Sequence, residues 1–427
     1  MKAAFFFFIS SGCFSKITPQ EEKSMKKLLA MIMTSAMVLS LAGCGSTAGT
    51  SSSSSPAASA ETEGTSSTEM PDTIKIGVMG TFSGEQAVDG QNMQGAIDLV
   101  KKELEEAGGL EVNGTMHQVE FIIGDTEGKP EQAVNVMQKL IQQDGVVGVL
   151  GPNNSSDCLS SYEVAQAAGV PCISNTGTNI QVTQVGDYCF RACFIDPFQG
   201  KVVAKLALED CGAKTAAVLY NNADAYSTGL QEAFCEAFKA GGGEIVALEA
   251  FAGTEVKDYS AQLTAIQNAD PDVFFVPTQI NMIPMILQQT RAMGIDCQLL
   301  GCDSWDYDYM PSLVGEDVVE GSLYVTGFSP AADSAKDFVA AYSELNGFEP
   351  SFCSSMMYEA AHIMLNAIQT AGSVDGAALR DAIAASNLDL PSGNLTYDAD
   401  RNPVKDGTII KVVNGKREYY KTINLND

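Results

Sequence analysis

Short apolar runs alternate with segments of helical periodicity over most of the chain. The first apolar run, residues 73–79, is bounded by Pro71 and Gly80 and predicts a buried strand, and residues 91–104 carry apolar side chains at helical spacing. Further strands are predicted at 119–123, 146–150 and 171–174, with helices at 131–141 and 155–168. Nearly continuous apolar strands alternating with helices are typical of a parallel sheet covered on both faces.

A second series of the same kind follows residues 188–193. It predicts strands at 216–220, 244–248, 273–276 and 298–301 and helices at 229–240, 260–267 and 282–293. The rhythm then breaks into helices at 335–345 and 354–371 and strands at 395–397, 408–413 and 417–420. Two series indicate two α/β lobes, and the late segments indicate that the chain crosses between them more than once.

The N-terminal part has the pattern of an export signal. Met25 precedes two lysines, an apolar stretch ending at Leu41, and Ala42 and Gly43 before Cys44. The Leu-Ala-Gly-Cys ending resembles the lipobox of bacterial lipoproteins, which implies that Cys44 is lipidated after removal of residues 25–43. The alternative is an ordinary signal in which a cysteine happens to follow the cut. Residues 44–72 are rich in Ser, Thr, Ala and Gly and predict a flexible tether.

Residues 1–24 fit poorly in front of this signal. We expect translation to start at Met25 and the first 24 residues to be a mis-annotated extension. The alternative is a true extension that contains the apolar run at 5–9.

Composition and charge exclude several classes of function. The 427 residues carry a net charge of −28, which disfavours a nucleic-acid partner and is most simply explained as a solubility feature outside the cell. Only two histidines are present, and both His117 and His362 are interpreted as structural. The sequence has no Walker A loop, nucleophile elbow or dinucleotide fingerprint, and Asp125 is better explained by capping or solvation than by catalysis. We therefore predict no enzyme, cofactor or metal site.

The eleven cysteines are scattered without a Cys-x-x-Cys pair. Setting aside Cys13 and Cys44 leaves nine, so they cannot all pair with one another. Most are expected to be buried as small hydrophobic residues. Pairing of Cys158 with Cys172, or of Cys189 with Cys193, stays open.

Ligands of open parallel sheets bind at the loops that follow the carboxyl ends of the strands. These loops are rich in polar residues here, and they cover 80–86, 151–157, 174–179, 221–227, 279–281 and 302–305. Ser155 and Thr178 lie in loops of this kind, several of which run into helix N-termini, where free N–H groups favour a carboxylate. The alternative is plain N-capping by these two side chains.

Several short strings resemble one family in their number and order. They are residues 74–78, 83–87, 151–152, 174–179, 196–200 and 270–274. Together they resemble the solute-binding proteins of ABC importers for branched-chain amino acids, the Leu/Ile/Val-binding type, over residues 73 to 420. The resemblance implies a type I periplasmic binding protein with two Rossmann-like lobes joined by a three-segment hinge. We expect the first lobe at 73–194 and 327–407 and the second at 195–326 and 408–427.

The resemblance also implies a set of ligand contacts. Ser155 and Thr178 would hold an α-carboxylate, the backbone carbonyl of Thr176 and the side chain of Asp303 would take an α-ammonium, and Tyr226 would close from the second lobe. The first loop adds Glu85 as a further candidate. A zwitterion needs donors at one end and an anion at the other.

The side-chain subsite departs from the family. Asp89 stands where relatives place an aromatic residue, and Gln279 adds a second polar group. These residues predict a ligand more polar than leucine, since unmatched buried polar groups cost about 1–3 kcal/mol each. The alternative is that Asp89 points to solvent and that Phe82 and Trp305 keep the pocket apolar.

The function implied is capture of an amino acid or related small solute for a membrane permease. The protein would be held on the extracytoplasmic face of the membrane by the lipid on Cys44. A ligand-sensing receptor domain with the same fold is the main alternative, and an enzyme is the lesser one.

Overall fold

The computed structural model describes residues 70–425 of the chain. The predicted extension, the signal at 25–43, Cys44 and nearly all of the tether lie outside the described residues. Within residues 70–425, no helix has both the length and the apolar character needed to cross a membrane.

Fifteen strands are present in the described part of the chain. In order they are β1 Thr73–Gly80, β2 Leu110–Val112, β3 Thr115–Asp125, β4 Gly148–Leu150, β5 Cys172–Ser174, β6 Cys189–Arg191, β7 Thr215–Asn221, β8 Glu244–Phe251, β9 Val273–Phe275, β10 Gln298–Gly301, β11 Leu323–Thr326, β12 Asn387–Leu390, β13 Gly393–Thr396, β14 Gly407–Val413 and β15 Lys416–Ile423.

Twelve α-helices lie between these strands in residues 70–425. They are α1 Ala87–Ala107, α2 Pro130–Lys139, α3 Ser155–Ala168, α4 Asp196–Lys205, α5 Ala225–Ala240, α6 Ser260–Ala269, α7 Ile283–Ala292, α8 Met310–Val314, α9 Glu316–Val319, α10 Lys336–Asn346, α11 Phe352–Ala371 and α12 Gly376–Ala384.

Thirteen of these strands form two large sheets, one in each lobe, and β12 and β13 form a separate antiparallel pair. The first sheet has the order β2-β3-β1-β4-β5-β6, and every pair except β2–β3 is parallel. The second has the order β15-β14-β11-β10-β9-β7-β8, with β14 and β15 as an antiparallel edge. The predicted two-lobed α/β fold is confirmed, and the antiparallel edges are an addition that the sequence pattern did not reveal.

Strand β1 shows why its sequence is apolar on both sides. Ile74, Ile76 and Val78 belong to the large core shared with α1 and α11, while Met79 packs with the smaller core beneath α2 and α3. All four side chains are fully buried. A strand covered by helices on both faces cannot alternate between apolar and polar residues, so its nearly continuous apolar run follows from its place in the sheet.

The chain passes between the two lobes three times. After β6 it enters the second lobe at α4, after β11 it returns to the first at α10, and between β13 and β14 it crosses again. On the third passage Lys405 pairs with the buried Glu359 of α11 at 2.6 Å. The late segments thus contribute helices to the first lobe and strands β14 and β15 to the second.

Eight elements escaped prediction, namely β2, β6, β11, β12, α4, α8, α9 and α12. Strand β11 has four residues between Gly321 and Gly327, too few to show a period. Helix α12 has a local start signal that the prediction did not use, because the Asp375 carboxylate caps it by accepting from the N–H groups of Ala377 and Ala378.

Candidate ligand-binding site

A cavity of about 380 Å³, counted to its open edge, lies between the two lobes. Its lining is mostly polar, and it consists of Asp89, Asn153, Asn154, Ser155, Thr176, Phe352 and Cys353 from the first lobe and Tyr226, Gln279, Asp303, Ser304 and Tyr307 from the second.

The lining comes from the elements that follow the carboxyl ends of the strands. The first lobe contributes the segments after β1, β4 and β5, and the second contributes those after β7, β9 and β10. The N-terminus of α11 completes the wall. The rule that ligands bind beyond the carboxyl ends of parallel strands therefore selects the same loops as the structure.

Asp303 is a fixed acceptor on the second lobe. Its carboxylate accepts a 2.6 Å hydrogen bond from the Tyr226 hydroxyl, and its backbone N–H donates to the side-chain oxygen of Gln199 at 2.9 Å. Only 5% of Asp303 is exposed. Burial raises its pKa to about 6, although the Tyr226 bond opposes that shift. A cation placed beside Asp303 would favour the ionised carboxylate.

The segment that carries Asp303 is anchored by a buried ion pair three residues further on. Asp306 accepts from the Arg417 guanidinium at 2.9 Å, from the Tyr324 hydroxyl at 3.1 Å and from the Thr326 hydroxyl at 3.1 Å. Asp306 is therefore neutralised by a partner from the sheet edge. These bonds tie the segment after β10 to strands β11 and β15 and fix the direction in which Asp303 and Tyr307 leave it.

Asp89 faces the same cavity from the first lobe. Its carboxylate accepts from the Tyr307 hydroxyl and, at 3.3 Å, from the side-chain amide of Asn153. It is 4% exposed, and burial raises its pKa to about 6 against the lowering effect of Tyr307. Gly90 sets this position, because a Cβ there would lie 2.4 Å from the Phe82 Cα.

The structure contradicts the alternative of an apolar subsite. Asp89 is buried rather than solvated, while Phe82 and Trp305 do not line the cavity. Trp305 is fully buried, and its indole N–H donates to the Val276 carbonyl at 3.2 Å. Phe82 is half-buried, and its backbone N–H donates to Asp125 at 3.0 Å. Asp89 therefore faces the cavity, and Phe82 and Trp305 do not supply the apolar walls that the alternative expected.

Of the first-lobe residues predicted to contact the ligand, Ser155 and Thr176 line the cavity and Thr178 does not. Ser155 lines the cavity at the first position of α3, and its hydroxyl accepts from the Asn179 N–H at 3.2 Å. Thr176 also lines it and donates to the Asn153 carbonyl at 3.0 Å. Thr178 is fully buried and is not part of the lining. Neither Ser155 nor Thr178 is an N-cap, since Asn154 and Asn179 hold those positions.

Gln279 lines the cavity but is tied into a contact between the lobes. Its side-chain amide donates to Asp224 at 3.1 Å, and the other oxygen of Asp224 accepts from the Ser156 hydroxyl of the first lobe at 3.0 Å. Ser156 in turn accepts from the Ala225 N–H at 3.1 Å. These bonds hold the lobes together beside the cavity.

Glu85 lies outside the cavity lining and is exposed. Its carboxylate is 3.4 Å from Lys257 Nζ and accepts from the Asn281 amide at 3.4 Å, both in the second lobe. Glu85 thus contacts the opposite lobe rather than the space between them.

Three lining residues were missed by sequence reasoning: Tyr307, Phe352 and Cys353. Tyr307 belongs to an aromatic run just beyond the loop at 302–305, which was a usable signal. Phe352 and Cys353 begin α11 after Ser351, whose hydroxyl accepts from the Ser354 N–H in a capping box. That cap marks the helix start, but nothing in the pattern showed that the start faces the cavity.

Other candidates lie away from the cavity. The His117 ring nitrogen is 2.8 Å from the Pro71 carbonyl oxygen, and the His362 ring nitrogen is 3.1 Å from Glu103. Asp125 accepts from the N–H groups of Phe82, Ser83 and Glu127 and so shapes the loop after β1.

The nine cysteines of the described chain are all free thiols. Seven are buried, as expected for small hydrophobic residues. Neither of the two pairings that the sequence left open is formed. Cys172 instead lies opposite Cys189 on the neighbouring strand.

Comparisons with known proteins agree with this architecture. The model of the family described as periplasmic binding protein matches residues 73–417. A leucine-, isoleucine-, valine-, threonine- and alanine-binding protein of Pseudomonas aeruginosa is 26% identical over 329 residues, which are 77% of this chain and 86% of that protein.

Solved structures extend the likeness to three dimensions. A leucine-binding protein of Thermotoga maritima has a TM-score of 0.78 at 29% identity and covers 83% of this chain and 99% of its own. The substrate-binding protein of a branched-chain amino acid transporter of Streptococcus pneumoniae, in complex with isoleucine, has a TM-score of 0.76 at 31% identity, with coverage of 82% and 99%.

Periplasmic binding proteins close two lobes around a ligand. This chain has two lobes with mostly parallel sheets, three crossings between them and a polar cavity at their junction. The family match spans most of the described chain, and the two solved structures share the whole arrangement of lobes. This chain therefore belongs to the periplasmic binding protein family and is a solute-binding protein.

Proposed function

We propose that this protein captures a small zwitterion, an amino acid or a close analogue, between its closing lobes and delivers it unchanged to an ABC permease. The observation that carries the proposal is the cavity itself, in which the buried carboxylate of Asp303 lies on one lobe and the start of α3 on the other. A zwitterion is recognised by these two kinds of partner at its two ends.

The ammonium end of the ligand is assigned to the second lobe. Asp303 supplies the charge, Tyr226 holds that carboxylate in place, and the backbone carbonyl of Thr176 adds an acceptor from the first lobe. Transfer of the ligand's ammonium from water into a buried site is costly unless the ammonium gains such partners. Asp303 is therefore the main anchor of the ligand.

The carboxylate end is assigned to the first lobe. Ser155 opens helix α3, which has 14 residues, and the free N–H groups of its first turn favour an anion. The Asn154 side chain donates to Gln86 at 2.8 Å, which fixes the residue that precedes the helix. Thr178 is left outside this assignment because it does not reach the cavity lining.

The ligand is proposed to be more polar than leucine. Asp89 and Gln279 both line the cavity, and its apolar members are confined to Phe352 and Cys353. A branched aliphatic side chain would bring neither a donor nor a charge to the buried Asp89 carboxylate, whose hydrogen bonds come from Tyr307 and Asn153 alone. The likeness to a leucine-binding protein and to an isoleucine complex therefore supports the proposed contacts to the α-ammonium and α-carboxylate. It is weaker support for an aliphatic side chain on the ligand.

The place of action is proposed to be the outer face of the membrane. The signal pattern at 25–43 and the cysteine at 44 support a lipid anchor, and the Ser-rich residues 44–72 support a tether long enough to let the globule meet a permease. The ABC permease is the partner that such an arrangement requires.

A thermal-shift screen of the purified protein against the common amino acids, their amides and short analogues tests the proposal. A ligand present at one hundred times its Kd stabilises the folded state by about 2.7 kcal/mol, so a true ligand raises the Tm clearly. Calorimetry then gives the Kd, and NMR of the recovered ligand shows that it is unchanged. The absence of any shift, or the appearance of a product, would contradict the proposal.

A further inference from the structure

The cavity has an unbalanced charge. Two of its twelve lining residues, Asp89 and Asp303, carry carboxylates, and none is Lys, Arg or His. A zwitterion with a neutral side chain brings one positive and one negative charge, so it leaves the surplus of negative charge in place. Buried charges are normally paired, because water no longer screens them. The balance favours a ligand with a net positive charge.

The chain supplies cations to other buried carboxylates. Asp306 is paired with Arg417 and Glu359 with Lys405, and all four side chains are at most 4% exposed. Asp89 and Asp303 take part in no ion pair in residues 70–425. Asp157 and Asp196 are buried without a cation as well, but they do not line the cavity. Of these four, only Asp89 and Asp303 can be reached by a ligand in this cavity.

Each of the two carboxylates is already oriented by a tyrosine. Tyr226 donates to one oxygen of Asp303, and Tyr307 donates to one oxygen of Asp89. The second oxygen of Asp89 has only the 3.3 Å contact with Asn153. An ionised carboxylate offers about four acceptor positions, so Asp89 retains capacity for a further donor. It lies on the opposite lobe from Asp303, which suits the far end of the same ligand.

We propose that the ligand is a diamino acid, with its α-ammonium at Asp303 and a cationic side-chain terminus at Asp89. This inference rests on the proposed function and names the substrate class of the same site. Asp89 is then the residue that determines specificity, because it converts a site for zwitterions into one that requires a second positive charge. A neutral amide could donate a hydrogen bond to Asp89 but would leave its charge unpaired.

Matched ligands test this without altering the protein. Calorimetry compares L-ornithine with L-norvaline, which lacks the terminal ammonium, with L-glutamine, which carries a neutral amide, and with putrescine, which lacks the carboxylate. L-lysine, L-norleucine and cadaverine form a second set one carbon longer. In at least one set we expect the diamino acid to bind at least tenfold more tightly than each of its counterparts.

Two variants link the preference to Asp89. Asp89→Asn keeps an acceptor for Tyr307 but removes the charge, and it is expected to abolish the tenfold preference for the diamino acid over its neutral counterpart. Asp98→Asn is the matched control, since Asp98 is on the same helix with 46% of its side chain exposed and pairs with Lys101. It is expected to leave all affinities unchanged. Circular dichroism and the Tm confirm that both variants are folded.

The outcomes separate this inference from the proposed function. Tighter binding of leucine, norvaline or glutamine than of any diamino acid overturns the inference and leaves the proposed function standing. Equal binding of a diamine and its diamino acid also overturns it, because the α-carboxylate would then play no part. If no amino acid of any charge binds, the proposed function itself fails. Should Asp89→Asn not fold, the ligand series measured on the wild-type protein alone decides whether the inference stands.

Discussion

The two carboxylates of the cavity are chemically alike but are held in different ways. Asp303 and its partner Tyr226 belong to the same lobe, so their hydrogen bond is independent of how far the lobes separate. Asp89 belongs to the first lobe, and its partner Tyr307 lies on the second, 218 residues away in sequence. The Asp89 bond therefore exists only when the lobes are closed.

This difference separates two tasks within one site. A preformed acceptor such as Asp303 can take the first contact with a ligand in the open protein, at little cost in ordering. An acceptor completed by closure, such as Asp89, contributes only in the closed form and so couples ligand recognition to the movement of the lobes. Substitutions at the two positions should consequently fail in different ways.

Asp303→Asn is expected to have the largest effect on binding. Loss of the charge leaves a buried ammonium with neutral acceptors, and removing one member of a buried charge pair costs about 2–5 kcal/mol. Calorimetry should show a loss of affinity of at least thirtyfold for every amino acid, whatever its side chain. Asp98→Asn is again the control. A Kd within twofold of wild type would remove Asp303 from the role of anchor.

The pH dependence of binding is expected to be the next largest effect. Burial raises the pKa values of both Asp89 and Asp303 to about 6. A cation binds the ionised carboxylate, so affinity is nearly full at pH 7 and declines as each carboxylate takes up a proton on passing through pH 6. Between pH 7 and pH 5 the loss is about tenfold per carboxylate, and about a hundredfold for a ligand that uses both.

The contributions of Asp89 and Asp303 to this pH dependence can be measured separately. The side chains facing Asp89 from the other elements, Tyr307, Tyr309 and Cys353, have pKa values that burial raises far above this range, so they do not titrate between pH 5 and 7. In Asp89→Asn the decline should shrink to the tenfold contributed by Asp303. A hundredfold decline that persists in this variant would mean that Asp89 does not contact the ligand.

Tyr307→Phe and Tyr226→Phe compare the closure-dependent bond with the preformed one. A hydrogen bond to a charged group is worth about 1.5–3 kcal/mol, so Tyr307→Phe, which removes a bond made only in the closed form, should weaken binding about tenfold or more. Tyr226→Phe removes a bond that is present in the open and closed forms alike, so it should weaken binding less. Small-angle scattering of the ligand-free protein distinguishes them, because only Tyr307→Phe removes a bond between lobes and shifts the population toward the open form. Equal scattering changes in the two variants would contradict the distinction.

The fold could be predicted from the sequence largely because its strands are buried on both faces. Strands such as β4 and β9 are uninterrupted apolar runs, β1 is nearly so, and Pro and Gly occupy the turns between strands. Strand β11 was missed because its order depends on neighbouring strands, whereas helix α12 was missed although Asp375 gave a local N-cap signal. A four-residue strand gains its stability from the pairing with β10 and β14, which no local window contains.

The positions of the cavity-lining residues could be predicted where those residues directly follow a strand in the sequence, and not elsewhere. Asp303, Ser155 and Tyr226 lie in or at the end of segments that directly follow strands, and the strand-end rule finds such segments from sequence alone. Tyr307 lay just beyond one of these segments, whereas Cys353 could not be assigned, because its relevance arises from the place of helix α11 in space. The same approach explains why Glu85, in a loop of the right kind, meets Lys257 and not the cavity.

The smallest expected effect concerns a contact that holds the lobes together without facing the ligand. Ser156→Ala removes the hydroxyl that joins Asp224 and the Ala225 N–H to helix α3, at a net cost of about 0.5–1.5 kcal/mol. Because this contact is made only in the closed form, the loss should appear as a twofold to tenfold weaker affinity for all ligands alike. Calorimetry with a diamino acid and its neutral counterpart measures both affinities.

Ser160→Ala is the matched control on the same helix, since the Ser160 hydroxyl donates only to the Pro130 and Asp157 carbonyls within the first lobe. It should leave both affinities unchanged. A changed ratio of the two Kd values in Ser156→Ala would mean that this contact affects the selectivity for the ligand's side chain. An unchanged ratio with weaker binding of both would show that closure can be weakened without touching selectivity, which is the separation that the two carboxylates imply.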